Sequence, residues 1–187
     1  VALVVAIAGL LGISQSPLAR KQPPSGPDWT RYDQKTVKIV RVVDGDTVDI
    51  DLPDQSSQVT RIRLLGIDAP EMPDAHFAAR AKDYVAARTR DQVITIRLDE
   101  IETRERDKHG RLLAYLYLPN NECLNESLLR DGMAYAFRIY PHGLSAQFEA
   151  AERSARSGRT GLWKDVTVDQ MPAWRQDWMK RNGITTP

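Results

Sequence analysis

The chain has a single cysteine, Cys123, which excludes an intrachain disulfide and any cysteine-rich zinc module. It has three histidines, His76, His109 and His142, and none stands at the spacing of a zinc-protease motif. It has almost no net charge, because 26 basic residues face 25 acidic ones and leave +1. A protein that holds a polyanion by bulk charge alone is thereby excluded, although a local site is not. No internal repeat is visible. What remains is 187 residues that are 42% hydrophobic and 27% charged. This is the composition of one globular domain with a core of its own, not of a disordered or collagen-like chain.

The charge is unevenly placed. Between Asp44 and Ala75 stand eight acids and two bases, a balance of −6, so the rest of the chain carries +7. On charge alone an acidic surface loop is the simpler reading. An acidic stretch in a basic frame is also what a metal-assisted site for a polyanion needs, with carboxylates for the cation and bases for the phosphates.

Residues 1–13 are apolar or glycine and carry no charge. As a helix this run would span about 20 Å, short of a bilayer core of about 30 Å. It fits the apolar centre of a signal peptide, with Ser14 and Ser16 near a cleavage point, or a membrane anchor if the uncharged run to Ala19 is included. An exported protein is expected, with membrane contact through residues 1–19. The Pro-rich stretch within residues 20–35 predicts a linker. The domain itself is expected over 36–167, followed by a tail at 168–187 in which Trp174 and Trp178 stand at i, i+4 and can dock as a short helix.

Within the domain, Val37–Val43, Thr47–Leu52, Thr60–Leu65, Val93–Leu98 and Leu112–Leu118 carry strand patterns. Helical spacing runs through Phe77, Ala81, Tyr84, Val85 and Arg88, with Asp74 placed as its cap. A short helix at Glu126–Arg130, with Asn125 as N-cap, precedes a longer one carrying Leu144, Phe148, Ala151 and Ala155. Five short strands with a helix after the third predict an α+β fold, a five-stranded OB-type Greek-key barrel with about three helices. Tyr115, Tyr117 and Phe137 read as core, and Cys123 as a small buried residue.

Three motifs carry chemistry: Asp44-Gly45-Asp46-Thr47, Arg63-Leu64-Leu65-Gly66-Ile67-Asp68-Ala69-Pro70-Glu71, and Asp107-Lys108-His109-Gly110-Arg111. Asp46 and Asp68 are hard oxygen donors suited to Ca²⁺ or Mg²⁺ rather than zinc, and two carboxylates alone leave such an ion incompletely coordinated. Asp44 is placed to support them. Taken alone, Asp-Gly-Asp also describes a simple turn. Arg63 and Arg111 offer planar, permanently charged forks that match phosphate oxygens. Lys108 is placed for a flanking phosphate.

In order and in strand context these motifs resemble the thermonuclease (staphylococcal-nuclease-like) family, from Val37 to Lys164 and including Gly161-Leu162-Trp163. The resemblance implies a Ca²⁺-dependent phosphodiesterase on DNA and RNA with little sequence specificity, leaving 3′-phosphate and 5′-hydroxyl ends. It implies Ala69 as a third metal ligand through its carbonyl, where relatives often have Thr. It implies Glu71 as general base or positioner of the attacking water. A tyrosine pair of the family falls on Arg138 and Tyr140, and His109 falls where a tyrosine is common; all three are expected to bind substrate. A monomer is expected. The rival reading is a non-catalytic nucleic-acid- or protein-binding module on the same fold.

Overall fold

Alternation of apolar and polar residues builds the central sheet. The computed structural model describes residues 26–71, 75–101 and 104–186. Its elements run α1 (Pro27–Tyr32), β1 (Thr36–Val37), β2 (Ile39–Val42), β3 (Thr47–Ile50), β4 (Thr60–Leu64), β5 (Ile67–Asp68), α2 (Ala75–Thr89), β6 (Ile94–Arg97), β7 (Leu112–Tyr117), α3 (Leu124–Arg130), β8 (Tyr135–Ala136), α4 (Ser145–Ser157) and α5 (Ala173–Arg181). Two short 3₁₀ turns, Gly161–Lys164 and Val168–Gln170, join α4 to α5.

Six strands form one sheet in the order β1-β6-β7-β4-β3-β2, with β4 and β7 parallel and the other pairs antiparallel. Its two end strands are consecutive in the chain, separated by Lys38. Taken as one bent strand they give the five-strand ring of an OB-like barrel. Thr60, Ile62 and Leu64 of β4 point inward, while Arg61 and Arg63 face the other way. Ile94 and Ile96, Val48 and Ile50, and Leu112, Ala114 and Leu116 complete the interior. A separate ribbon pairs β5 with β8, Asp68 opposite Tyr135. At two residues each, these strands are too short to show a period in the sequence.

Helix α2 lies against the barrel through Ala81 and Val85. It comes so close to the Asp44–Thr47 turn that a Cβ on Gly45 would fall 2.6 Å from that of Ala81 and 2.7 Å from that of Ala69. Only glycine fits there. Gly66, with φ +77°, makes the left-handed turn from β4 into β5.

Two boundaries differ from the sequence reading. The expected linker at 20–35 contains α1, begun by Pro27, whose fixed φ suits a first helical position. Tyr32 of α1 is fully buried and its hydroxyl lies 3.1 Å from Thr60 Oγ1, while Asp28 pairs with Arg106 at 2.6 Å. The folded unit therefore includes Pro27, ahead of the expected start at Thr36. The expected tail also packs: Met171 and Met179 join Phe77, Tyr135, Leu162 and Trp163 in a second apolar cluster, with Trp174 and Trp178 at its edge. Five α-helices among the described residues, rather than about three, follow from these two additions. At α3 the N-cap is Cys123, and Asn125 is instead fully buried, tying Leu116, Leu65 and Ala114 of the barrel to the helix. Burial pushes the Cys123 thiol up to about 11, which suits a packing role. No helix among the described residues is long and apolar enough to cross a membrane. The expected signal or anchor at 1–19 and the cap Asp74 lie outside the described residues.

Candidate active site

The turn into β3 is closed by Asp44, whose Oδ1 accepts the Asp46 N–H at 2.9 Å. This leaves the Asp46 carboxylate buried, with 3% of the residue exposed. Its Oδ1 accepts the Thr47 hydroxyl at 3.0 Å and its Oδ2 accepts the Ala69 N–H at 2.8 Å. The second bond staples the turn to the segment following β5, and so brings Asp46 to Asp68. Between them comes Arg63, which stands opposite Thr47 in the β3–β4 register. Its Nη2 lies 3.0 Å from Asp46 Oδ2 and 2.7 Å from Asp68 Oδ1. Its Nη1 donates to the Leu64 and Ile67 carbonyls at 3.0 and 2.7 Å. Trp174 Nε1 donates to the other oxygen of Asp68, Oδ2, at 2.7 Å.

One guanidinium does not balance these carboxylates. Burial pushes the Asp46 carboxyl up to about 7; Arg63 opposes the shift, and Asp44 and Asp68 add to it. Burial likewise raises Asp68, again against Arg63, with Glu71 adding to the rise. A set of hard oxygen donors carrying unbalanced negative charge fits a divalent cation. Among the described residues no three His, Cys, Asp or Glu side chains cluster as a cation site. Two carboxylates would therefore hold such an ion, with the remaining oxygens drawn from backbone, water and substrate. Glu71 is exposed just beyond buried Pro70, in a groove of about 730 Å³ that it shares with Asp68, Ala69 and Trp174.

The turn at 107–111 borders a second cleft, on which Arg63 also lies. Asp107 Oδ1 accepts the backbone N–H groups of His109 and Arg111 at 2.8 and 3.0 Å, and its Oδ2 accepts Arg111 Nε at 2.6 Å. Burial works against the Asp107 charge, but these bonds hold the carboxyl below its usual range. Arg111 Nη1 reaches within 3.4 Å of Thr47 Oγ1, the hydroxyl bound to Asp46. This cleft, of about 310 Å³, is lined by Arg63, Lys108, His109, Arg111 and Tyr140, and also by Arg104 and Phe137.

The structure thus gathers Asp44, Asp46, Asp68, Ala69 and Glu71 about one groove and Lys108, His109, Arg111 and Tyr140 about a cleft, with Arg63 joining the two. Arg138 does not line this cleft, but an adjoining pocket that it shares with Phe137 and Tyr140. Arg138 Nη2 pairs with the fully buried Glu152 at 2.7 Å, and its guanidinium lies 4.6 Å from the Trp178 ring. Its charge is thereby paired with a buried acid. Phe137, expected in the core, is half-buried on the cleft wall, edge-on to Trp174 at 5.1 Å. Three participants went unassigned by sequence reasoning. Asp107 carried a usable signal, an acid four residues before Arg111 in a glycine turn. Trp174 showed only as half of a tryptophan pair. Arg104, whose guanidinium lies 4.0 Å from the Tyr140 ring, gave none.

Residues 61–165, more than half of the chain, match the model of the family described as staphylococcal nuclease homologue. The chain is 32% identical over 160 residues to a micrococcal nuclease of Shigella flexneri, covering 81% of this chain and 85% of that one. It is 25% identical over 169 residues to a thermonuclease of Staphylococcus hyicus, covering 87% and 96%. To an uncharacterized endonuclease of Escherichia coli O157:H7 it is 29% identical over 137 residues, covering 73% and 81%.

Proposed function

The chain belongs to the staphylococcal nuclease homologue family, and on that premise we propose that it is a Ca²⁺-dependent nuclease hydrolysing phosphodiester bonds of DNA and RNA. The observation that carries this reading is the meeting of buried Asp46 and half-buried Asp68 on Arg63, beside a cleft lined by cationic side chains. A non-catalytic binding module would have no use for two acids converging on one guanidinium there.

A phosphodiester is already anionic, so hydrolysis needs charge neutralised, phosphorus held in line with a water, and that water's proton removed. Asp46, Asp68 and the Ala69 carbonyl would hold Ca²⁺. When bound, the ion supplies positive charge to the phosphate oxygens and a place for the water. Arg63 lines both the carboxylate side and the cleft, and so serves the carboxylates and the phosphate together. Arg111, pinned by Asp107, approaches the phosphate from the other strand. Glu71 is exposed and beside Asp68, where it orients the water and accepts its proton. Lys108, His109 and Tyr140 bind the flanking nucleotides, whereas the Arg138 charge is paired with Glu152. The open cleft suits a flexible single strand, and the cut leaves a 3′-phosphate and a 5′-hydroxyl. The apolar run at 1–13 supports export of the enzyme.

End-group analysis tests this. A single-stranded oligonucleotide is digested with Ca²⁺ or with chelator, and the fragments are offered to a polynucleotide kinase lacking phosphatase activity. Fragments that accept phosphate at once at their 5′ ends, formed only with Ca²⁺, are the expected result. Fragments already blocked by 5′-phosphate would overturn the assignment.

A further inference from the structure

Helix α5 lies wholly beyond residue 165, where the family match ends, yet it touches the centre of the site. We infer that α5 is a working part of this active site, with Trp174 the positioning residue for Asp68. This rests on the nuclease reading above. The two oxygens of Asp68 are held from opposite sides, Oδ1 by Arg63 and Oδ2 by the Trp174 indole N–H, each at 2.7 Å. A carboxylate gripped at both oxygens has its plane fixed. The indole is itself fixed, edge-on to Phe137 at 5.1 Å.

The helix is anchored by the next residue along. Arg175 is 1% exposed, and its Nη1 lies 2.7 and 3.0 Å from the two oxygens of Glu152, which is fully buried in α4. Glu152 Oε1 also accepts the Ala136 N–H of β8 at 2.9 Å. Strand β8 pairs with β5, where Asp68 stands. Asp68 and Trp174 are therefore referenced to the same buried acid, by two routes that close on each other. The guanidinium of Arg175 also lies among the Tyr135, Trp163 and Trp178 rings, at 5.7, 5.3 and 5.3 Å. A device for burying apolar surface alone would not need a buried ion pair, nor aim an N–H at a cation-binding carboxylate.

The experiment uses the full chain. Calorimetry measures Ca²⁺ affinity without substrate, and steady-state cleavage of a short oligonucleotide gives kcat and KM. Trp174→Phe keeps the ring and deletes the donor. Its Ca²⁺ affinity and its kcat should each fall about tenfold, the scale of losing a group that orients a metal ligand, with KM changed less than about twofold. Trp178→Phe, which disturbs α5 packing without touching Asp68, should lower Tm and leave Ca²⁺ affinity within about twofold. Equal losses in the two variants, no loss in Trp174→Phe, or a gain there would each overturn the inference; a gain would make α5 an inhibitory strap. If Trp174→Phe fails to fold, the assigned indole N–H resonances of the unaltered protein decide. That of Trp174 should move on Ca²⁺ titration while those of Trp163 and Trp178 stay put, and a still Trp174 resonance contradicts the proposal. An unaltered protein that neither binds Ca²⁺ nor cleaves would instead remove the nuclease reading, and this inference with it.

Discussion

Asp46 and Asp68 meet on one nitrogen, the Nη2 of Arg63, at 3.0 and 2.7 Å. The stability of the protein and its chemistry pull in opposite directions at that point. The first prediction follows from the raised Asp46 carboxyl. Because its folded pKa of about 7 exceeds the ordinary 3.8, the folded protein holds a proton there that the unfolded chain has released. Without a cation, this group's contribution therefore favours folding below about pH 4 and is lost as pH rises from about 4 to 7. Asp46→Asn should raise the cation-free Tm at pH 8 by several degrees, with the gain vanishing near pH 3.5, and should abolish cleavage. Thermal melts in chelator across that range check it; a lower Tm at pH 8 would contradict it.

The two arginines should not be replaceable by lysine. Arg63 holds two carboxylates and two carbonyls with a planar fork, and an ammonium cannot repeat that geometry. Arg63→Lys and Arg111→Lys should each lower turnover by about 10²-fold at saturating substrate, the scale of one lost transition-state donor. Near-normal kcat in Arg111→Lys would remove that residue from the clamp.

Asp107 acts through Arg111. Asp107→Asn keeps an acceptor for the two backbone N–H groups but turns a donor, not an acceptor, toward Arg111 Nε. Turnover should fall about tenfold, with little change in Tm, since the turn survives. Unchanged kcat would show that Arg111 needs no such hold.

Arg138 gives the converse case. Arg138→Leu should lower Tm by several degrees, because a buried acid loses one of its two cationic partners. KM for an oligonucleotide should stay within about twofold. A large rise in KM with an intact fold would return Arg138 to the binding surface.

What was legible in the sequence followed from local rules. Strict alternation placed Ile62 and Leu64 inward and Arg63 outward. Asp46 and Asp68 read as hard oxygen donors by residue type, whereas Asp-Gly-Asp alone also describes a turn, and Ala69 and Glu71 take their roles only from the family resemblance. Long-range pairings were not legible. The family resemblance alone puts Arg138 at the substrate, and only the fold shows its pairing with Glu152 of α4. Trp174 reaches Asp68 across a separation that no local pattern encodes. The helix at Pro27–Tyr32 was hidden because proline and glycine before it read as linker, while the partner that orders it, Arg106, comes far later in the chain.

The most direct test of the account is the turnover of a labelled single-stranded oligonucleotide as a function of free Ca²⁺, compared between the unaltered protein and Asp46→Asn. Turnover in the unaltered protein should rise from background to saturation and return to background on chelation, while Asp46→Asn stays near background at every concentration tested. Cleavage by the unaltered protein that is equally fast in excess chelator, or an Asp46→Asn curve that overlays it, would contradict the account.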